Sequence, residues 1–130
     1  AGQACKACNQ AAVVCNLLGV CEALALALHQ GLDPRKMIEV VGSGAGGSWQ
    51  LQHLGPAIAD GDDSPGFMID LVRKDLDIVL EAAHTCALPF TGTSLAASYF
   101  AAVKAAGGGR LGTQAMARAL EKLGSFEYTA

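Results

Sequence analysis

The stretch from Ala4 to Gln30 constrains this chain more than any other. It contains AAVVCNLLGVCEALALALHQ, holds no proline and is apolar on nearly every side. Read as a helix, it stops at Gly31, a residue suited to the turn beyond a helix C-terminus. A helix apolar all round is covered either by neighbouring elements or by lipid. Asn16 and Glu22 in its middle, with Lys6 and Asn9 at its start, argue against a membrane span. Alanine and cysteine fill many of its apolar positions, which weakens the drive into lipid. The expectation is a long, largely buried first helix, central to a domain or lying in an interface.

Amphipathic helices follow it. Asp33 is a candidate N-cap with Pro34 in the first helical position, opening a helix to Val41. Gly42 to Gly47 reads as a flexible connector. Ser48 can cap a short helix through Trp49, Leu51 and Leu54, stopped by Gly55-Pro56, with loop from Ala59 to Gly66. From Ile69 to Cys86, apolar residues recur at spacings of three and four, and Leu88-Pro89 breaks the pattern. Thr91 or Thr93 can cap a further helix to Ala106, ended by Gly107 to Gly109. A last helix spans about Thr113 to Leu123, with Met116, Ala119, Leu120 and Leu123 on one face. No segment alternates with period two, so the fold class is all-α, a single domain of about six helices.

Composition narrows the partners. With 130 residues, 52% hydrophobic and 16% charged, the chain has material for a core and none of the marks of disorder. A net charge of −3, mixed along the chain, gives no electrostatic basis for nucleic acid or an anionic membrane. Nothing at the start resembles a secretory signal. Cys5, Cys8, Cys15, Cys21 and Cys86 make an odd set, four of them in one helical stretch. They read as small hydrophobes packed in helix grooves, in a reducing, cytoplasmic setting. His29, His53 and His84 stand far apart without partners at ligand spacing, so no metal is expected. The loop Gly42 to Gly47 follows a helix rather than a strand, which fails the dinucleotide-binding context.

Two places carry possible chemistry. Lys6 is a lone cation at the start of an apolar helix, with Asn9 and Gln10 one turn on. A lysine ammonium so placed can donate a proton to a substrate oxygen, and an amide one turn away can orient that substrate. The plain alternative is a solvated lysine, although a cation there opposes the helix dipole. Lys74 and Asp75 follow the turn Ser64-Pro65-Gly66-Phe67 and sit early on the next helix, where they also read as ordinary surface charges.

These segments carry a resemblance. GQACKACNQ resembles the G-x-x-x-K-x-x-N stretch that opens the helical domain of the β-hydroxyacid dehydrogenases, the family of 3-hydroxyisobutyrate dehydrogenase and tartronate semialdehyde (2-hydroxy-3-oxopropionate) reductase. The likeness continues through EALALALHQGLDP, the loop ending GSW, PGFMIDLVRKDLDIVLEAA and LPFTGTSLAASYF, in order and over nearly the whole chain. It implies a helical domain of the 6-phosphogluconate-dehydrogenase C-terminal type over residues 1–130, catalytic and dimerising. The N-terminal Rossmann domain that binds NAD or NADP would be absent from this chain, with the boundary near Ala1-Gly2. By the same resemblance Lys6 is the catalytic lysine, and Asn9, Gln10 and Phe67 are substrate-binding. Lys74 and Asp75 are cofactor-binding, with Phe67 and Asp75 at positions lining the pocket or bracing Lys74. Many members carry Asn-Asn where this chain has Asn9-Gln10. Imine reductases of similar architecture carry Asp or Tyr in place of the lysine, and phosphogluconate dehydrogenases carry His where this chain has Ala7 and Cys8.

The expected function is thus the catalytic part of an NAD(P)-dependent oxidoreductase for a short β-hydroxyacid and its semialdehyde, assembled as a homodimer or homotetramer. The isolated domain is expected to be inactive. The alternative is a non-catalytic all-α dimerisation module.

Overall fold

A computed structural model describes residues 2–130; Ala1, where the domain boundary is expected, lies outside the described residues. Its elements are α1 (Gly2–His29), α2 (Pro34–Gly42), α3 (Trp49–Asp60), α4 (Ile69–Thr85), α5 (Thr91–Ala105), a 3-10 turn (Thr113–Ala115) and α6 (Met116–Gly124). Among the described residues there is no strand, only an isolated antiparallel bridge between Met68 and Gly112. The all-α architecture of six helices is as the sequence patterns imply.

The helix starts show why. Asp33 accepts a hydrogen bond from the Arg35 N–H at 3.0 Å, and Pro34 takes the position where a missing N–H costs nothing. Ser48 accepts from the Leu51 N–H at 3.0 Å to open α3. The start of α4 lacks a side-chain cap, and backbone supplies the need: the Ile69 and Asp70 N–H groups donate to the Leu111 and Gly109 carbonyls. Gly112 is required at this crossing, where an added Cβ would strike the Gln114 amide and also meet the Ser64 carbonyl oxygen at 2.8 Å. A Cβ on Gly109 would push aside two side chains, the Asp70 carboxylate among them.

Three local expectations are corrected. α3 does not stop at Gly55-Pro56 but runs to Asp60, so the following loop starts later. Pro56 removes one hydrogen bond, and the burial of Leu51 and Ile58 on either side of it outweighs that loss. Gly55 lets α3 close on α2, where an added Cβ would meet Ile38 at 3.1 Å. α5 opens at Phe90 without a side-chain cap, and Thr93 is buried near Cys15 instead. Leu123 is exposed and leaves the buried face of α6, and the 3-10 segment takes the place of the first turn expected from Thr113.

α1 is the spine. Gln10, Val14, Leu17, Cys21 and Leu24 recur at three and four along one face and are buried. They meet Leu51 and Ile58 of α3, Ile69, Val72 and Leu76 of α4, Phe100 of α5 and Met116 of α6 in one core. The Tyr128 hydroxyl donates to the Cys21 carbonyl at 2.7 Å, tying the C-terminus to the middle of α1.

The opposite face of α1 is open. Cys5, Cys8, Ala12, Cys15, Gly19, Glu22 and Leu26 are exposed, so this chain by itself leaves one side of the helix uncovered. The cysteine expectation is corrected: only Cys21 is buried, and Cys5, Cys8, Cys15 and Cys86 lie exposed as free thiols. Burial pushes the Cys21 thiol up to about 12, partly offset by the Arg118 guanidinium nearby. By length and composition α1 could cross a membrane, yet it carries the buried spine of this helical domain.

Candidate active site

α1 and α4 pack side by side, and their N-terminal halves bring together residues distant in sequence. The Lys6 ammonium lies 3.9 Å from one oxygen of Asp75, with the lysine side chain 69% exposed and the carboxylate 18% exposed. That separation is an ion-pair distance and too long for a hydrogen bond. The Gln10 amide donates to the other Asp75 oxygen at 2.8 Å, and the Asn9 amide donates to the Gln10 carbonyl oxygen at 3.1 Å. Asn9, Gln10, Asp75 and Lys6 therefore form one polar chain across two helices.

The geometry assigns unequal freedom to its members. Asp75 spends one oxygen on Gln10 and faces Lys6 with the other. Gln10 is buried and uses an N–H and its carbonyl oxygen within the chain. Lys6 is held loosely, so its ammonium can swing onto a third group. Asn9 is exposed and keeps one N–H and its carbonyl oxygen free of the chain. A cavity of about 250 Å³ opens beside Lys6, Gln10 and Asp75, walled by Ala7, Ile78 and Val79. A cation, a carboxylate and an amide at the mouth of a small, partly apolar cavity suit proton transfer to a small polar molecule.

A second cavity of about 390 Å³ lies on the other side of Gln10, between α1 and α3, with Trp49, Gln50, Phe67, Thr113 and Gln114 in its wall. Gln114 donates to the carbonyls of Asp62 and Ser64 at 3.0 and 2.7 Å, which fixes the turn that presents Phe67. Phe67, 41% exposed, belongs to this second cavity rather than to the one beside Lys6.

Of the residues singled out in the sequence, Lys6, Asn9, Gln10 and Asp75 come together, and Phe67 stands across Gln10 from Lys6. Lys74 does not join them: it is exposed on α4 and takes part in no ion pair among the described residues. Asp75 turns toward Lys6 and Gln10, and among the described residues it forms no ion pair with Lys74, the lysine the resemblance has it brace. Gln50, Thr113 and Gln114 were not singled out. Their signal was amides and a hydroxyl at positions whose helical spacing points inward, such as Gln50 beside Leu51 at the start of α3.

Comparison with known proteins bears on this arrangement. A family model described as NAD-binding of NADP-dependent 3-hydroxyisobutyrate dehydrogenase matches residues 1–120. An uncharacterized oxidoreductase of Synechocystis is 42% identical over 91% of this chain and 40% of its own length. The 2-hydroxy-3-oxopropionate reductase of Escherichia coli is 34% identical over 97% of this chain and 43% of its own. Among solved structures, Mycobacterium tuberculosis 3-hydroxyisobutyrate dehydrogenase with L-serine superposes with a TM-score of 0.83 at 28% identity, covering 92% of this chain and 43% of that one. The chain spans about 40% of the length of the curated relatives it matches.

Proposed function

The chain belongs to the 3-hydroxyisobutyrate dehydrogenase family, and from that premise we propose that it forms the helical C-terminal part of an NAD(P)-dependent oxidoreductase interconverting a short β-hydroxyacid and its semialdehyde. The observation that carries this reading is the Lys6 ammonium at a cavity mouth, faced by Asp75 and flanked by Asn9 and Gln10.

In the reducing direction Lys6 Nζ gives a proton to the substrate carbonyl oxygen as it becomes a hydroxyl. In the oxidising direction the same nitrogen takes the proton back. The charge of Lys6 faces the oxygen where negative charge develops, a placement worth about 3–4 kcal/mol when one such donor is lost. Asp75 keeps the ammonium near the cavity without engaging it in a hydrogen bond, so the proton stays available. Gln10 fixes Asp75, and Asn9 offers its remaining N–H and carbonyl oxygen to the substrate.

The nicotinamide cofactor, when bound, supplies the hydride on reduction and accepts it on oxidation. This chain's residues fit a minor share of its binding. Lys74 is an exposed cation without an ion-pair partner among the described residues, suited to a phosphate. The glycine-rich loop before Ser48 joins two helices and is not the strand-to-helix turn that cradles a dinucleotide. The remaining contacts belong to a Rossmann domain beyond the span of this chain, where the choice between NAD and NADP is made.

The open face of α1 supports assembly as a homodimer or homotetramer. Small residues from Cys5 to Gly19 let a second backbone approach, and Leu26 adds apolar area. A reducing, cytoplasmic setting is in keeping with an odd set of five cysteines, four of them on one helix.

The test is oxidation of NADH or NADPH by the full-length protein across a panel of small semialdehydes. Turnover of one or more short β-semialdehyde acids is expected. A full-length protein that folds and reduces none of them contradicts the proposal.

A further inference from the structure

The cavity behind Gln10 contains polar groups that the fold itself does not use. Gln50 is 6% exposed and Thr113 is 8% exposed, and both line that cavity. The other two amides in its wall are committed, Gln10 to Asp75 and Asn9, and Gln114 to the backbone of Asp62 and Ser64. The Gln50 amide and the Thr113 hydroxyl have no hydrogen-bond partner among the described residues. Neither is sealed away, since the only side-chain polar atom both sealed and unpaired among those residues is Arg118 Nη2. Two buried, unpaired polar groups therefore open onto one cavity. Buried amides and hydroxyls are normally paired, so such groups point to a ligand that pairs them.

The chemistry of the walls selects among ligands. Val14, Leu17, Phe67 and Phe100 make the cavity mostly apolar, and no charged side chain lines it. A carboxylate there would lose its water without gaining a counter-charge. A methyl group would leave Gln50 and Thr113 unpaired. A hydroxyl both donates and accepts, and an amide with a second hydroxyl meets both needs.

We propose that Gln50, together with Thr113, determines substrate specificity by reading a neutral hydroxyl on the part of the substrate remote from the reacting carbonyl. The enzyme then prefers hydroxylated short semialdehydes over analogues bearing a methyl or a second carboxylate at that position. This rests on the proposed function: Lys6 faces the reacting end, and Gln10 lines both the cavity beside Lys6 and the one that Gln50 and Thr113 line.

The experiment measures kcat/KM of the full-length enzyme for three semialdehydes that differ only in a hydroxyl, methyl or carboxylate substituent. Wild type favours the hydroxylated one. Gln50→Leu lowers kcat/KM for it by roughly 10- to 100-fold, the scale of one lost hydrogen bond to a substrate hydroxyl, and leaves the methyl analogue nearly unchanged. Thr113→Val acts in the same direction. Gln50→Met serves if Gln50→Leu fails to fold, as judged by thermal melts. Equal effects on the hydroxyl and methyl substrates, or none, overturn the proposal. Should wild type reduce none of the three, the proposed function falls, and Gln50 is then read by calorimetric titration of the corresponding hydroxyacids. Weaker binding of the hydroxylated acid in Gln50→Leu upholds the specificity role, and unchanged binding overturns it.

Discussion

Gln10 and Asp75 stand 65 positions apart in the chain and share a 2.8 Å hydrogen bond between α1 and α4. This bond orients the carboxylate so that its other oxygen faces the Lys6 ammonium. Gln10 thereby acts on the site through Asp75, with its own amide largely occupied.

That relationship predicts the behaviour of Asp75→Asn in the full-length enzyme. The substitution keeps the shape and removes the charge that holds Lys6 near the cavity. Misplacing a catalytic group by an ångström costs up to ~100-fold, so kcat should fall on that scale with the melting temperature little changed. Steady-state kinetics beside thermal melts checks this. A kcat at the wild-type level would detach Asp75 from the site.

Lys74→Ala should behave differently. Lys74 stands outside the polar chain and is offered here to a cofactor phosphate. Losing one charge-assisted contact should raise the KM for the dinucleotide by about 10-fold or more, with a smaller change in kcat. Titrating NADH and NADPH against wild type and variant measures it.

The helix punctuation was legible in the residues themselves. Asp33-Pro34 and Ser48 cap the helices they were expected to cap, because a cap is a local hydrogen bond between near neighbours. The path of α3 through Pro56 was not legible, since it depends on the burial of Leu51 and Ile58 against other helices. The cysteines misled for a related reason. Sequence shows that α1 is apolar all round, and only packing shows which face the other helices cover. Lys6 and Asn9 stood out by type and spacing on one helix. The Gln10–Asp75 bond and the unpaired Gln50 did not, because both depend on how α1 meets α3 and α4.

The open face of α1 predicts assembly. Ala12→Arg should place a charged, bulky side chain in the middle of that face and shift the protein toward monomer. Sedimentation of wild type and variant at tens of micromolar, roughly the range in which a specific interface holds, reads the change. A wild type that sediments only as monomer would remove the interface.

Stability should fall as the solution becomes alkaline. Burial raises the Cys21 thiol from 9.0 to about 12, and burial raises the Tyr128 phenol as well. Below pH 9 the thiol keeps its proton whether the chain is folded or unfolded. Between pH 9 and about 12 the unfolded chain releases a proton that the fold retains, so the unfolded state gains and stability drops. Denaturant melts at pH 8, 9.5 and 10.5 should follow that slope, and Cys21→Ala should flatten it. An unchanged slope in the variant would assign the loss elsewhere.

The most direct test of the account is steady-state kinetics of Lys6→Ala in the full-length enzyme, with folding verified by thermal melts. The substitution removes both the transferable proton and the charge facing the developing alkoxide. The loss should fall mainly on kcat, by roughly two to four orders of magnitude. Lys6→Arg, which keeps the charge without a proton to give at neutral pH, should restore little. A folded Lys6→Ala enzyme with near-wild-type kcat would contradict the account and leave Lys6 a solvated lysine at the start of α1.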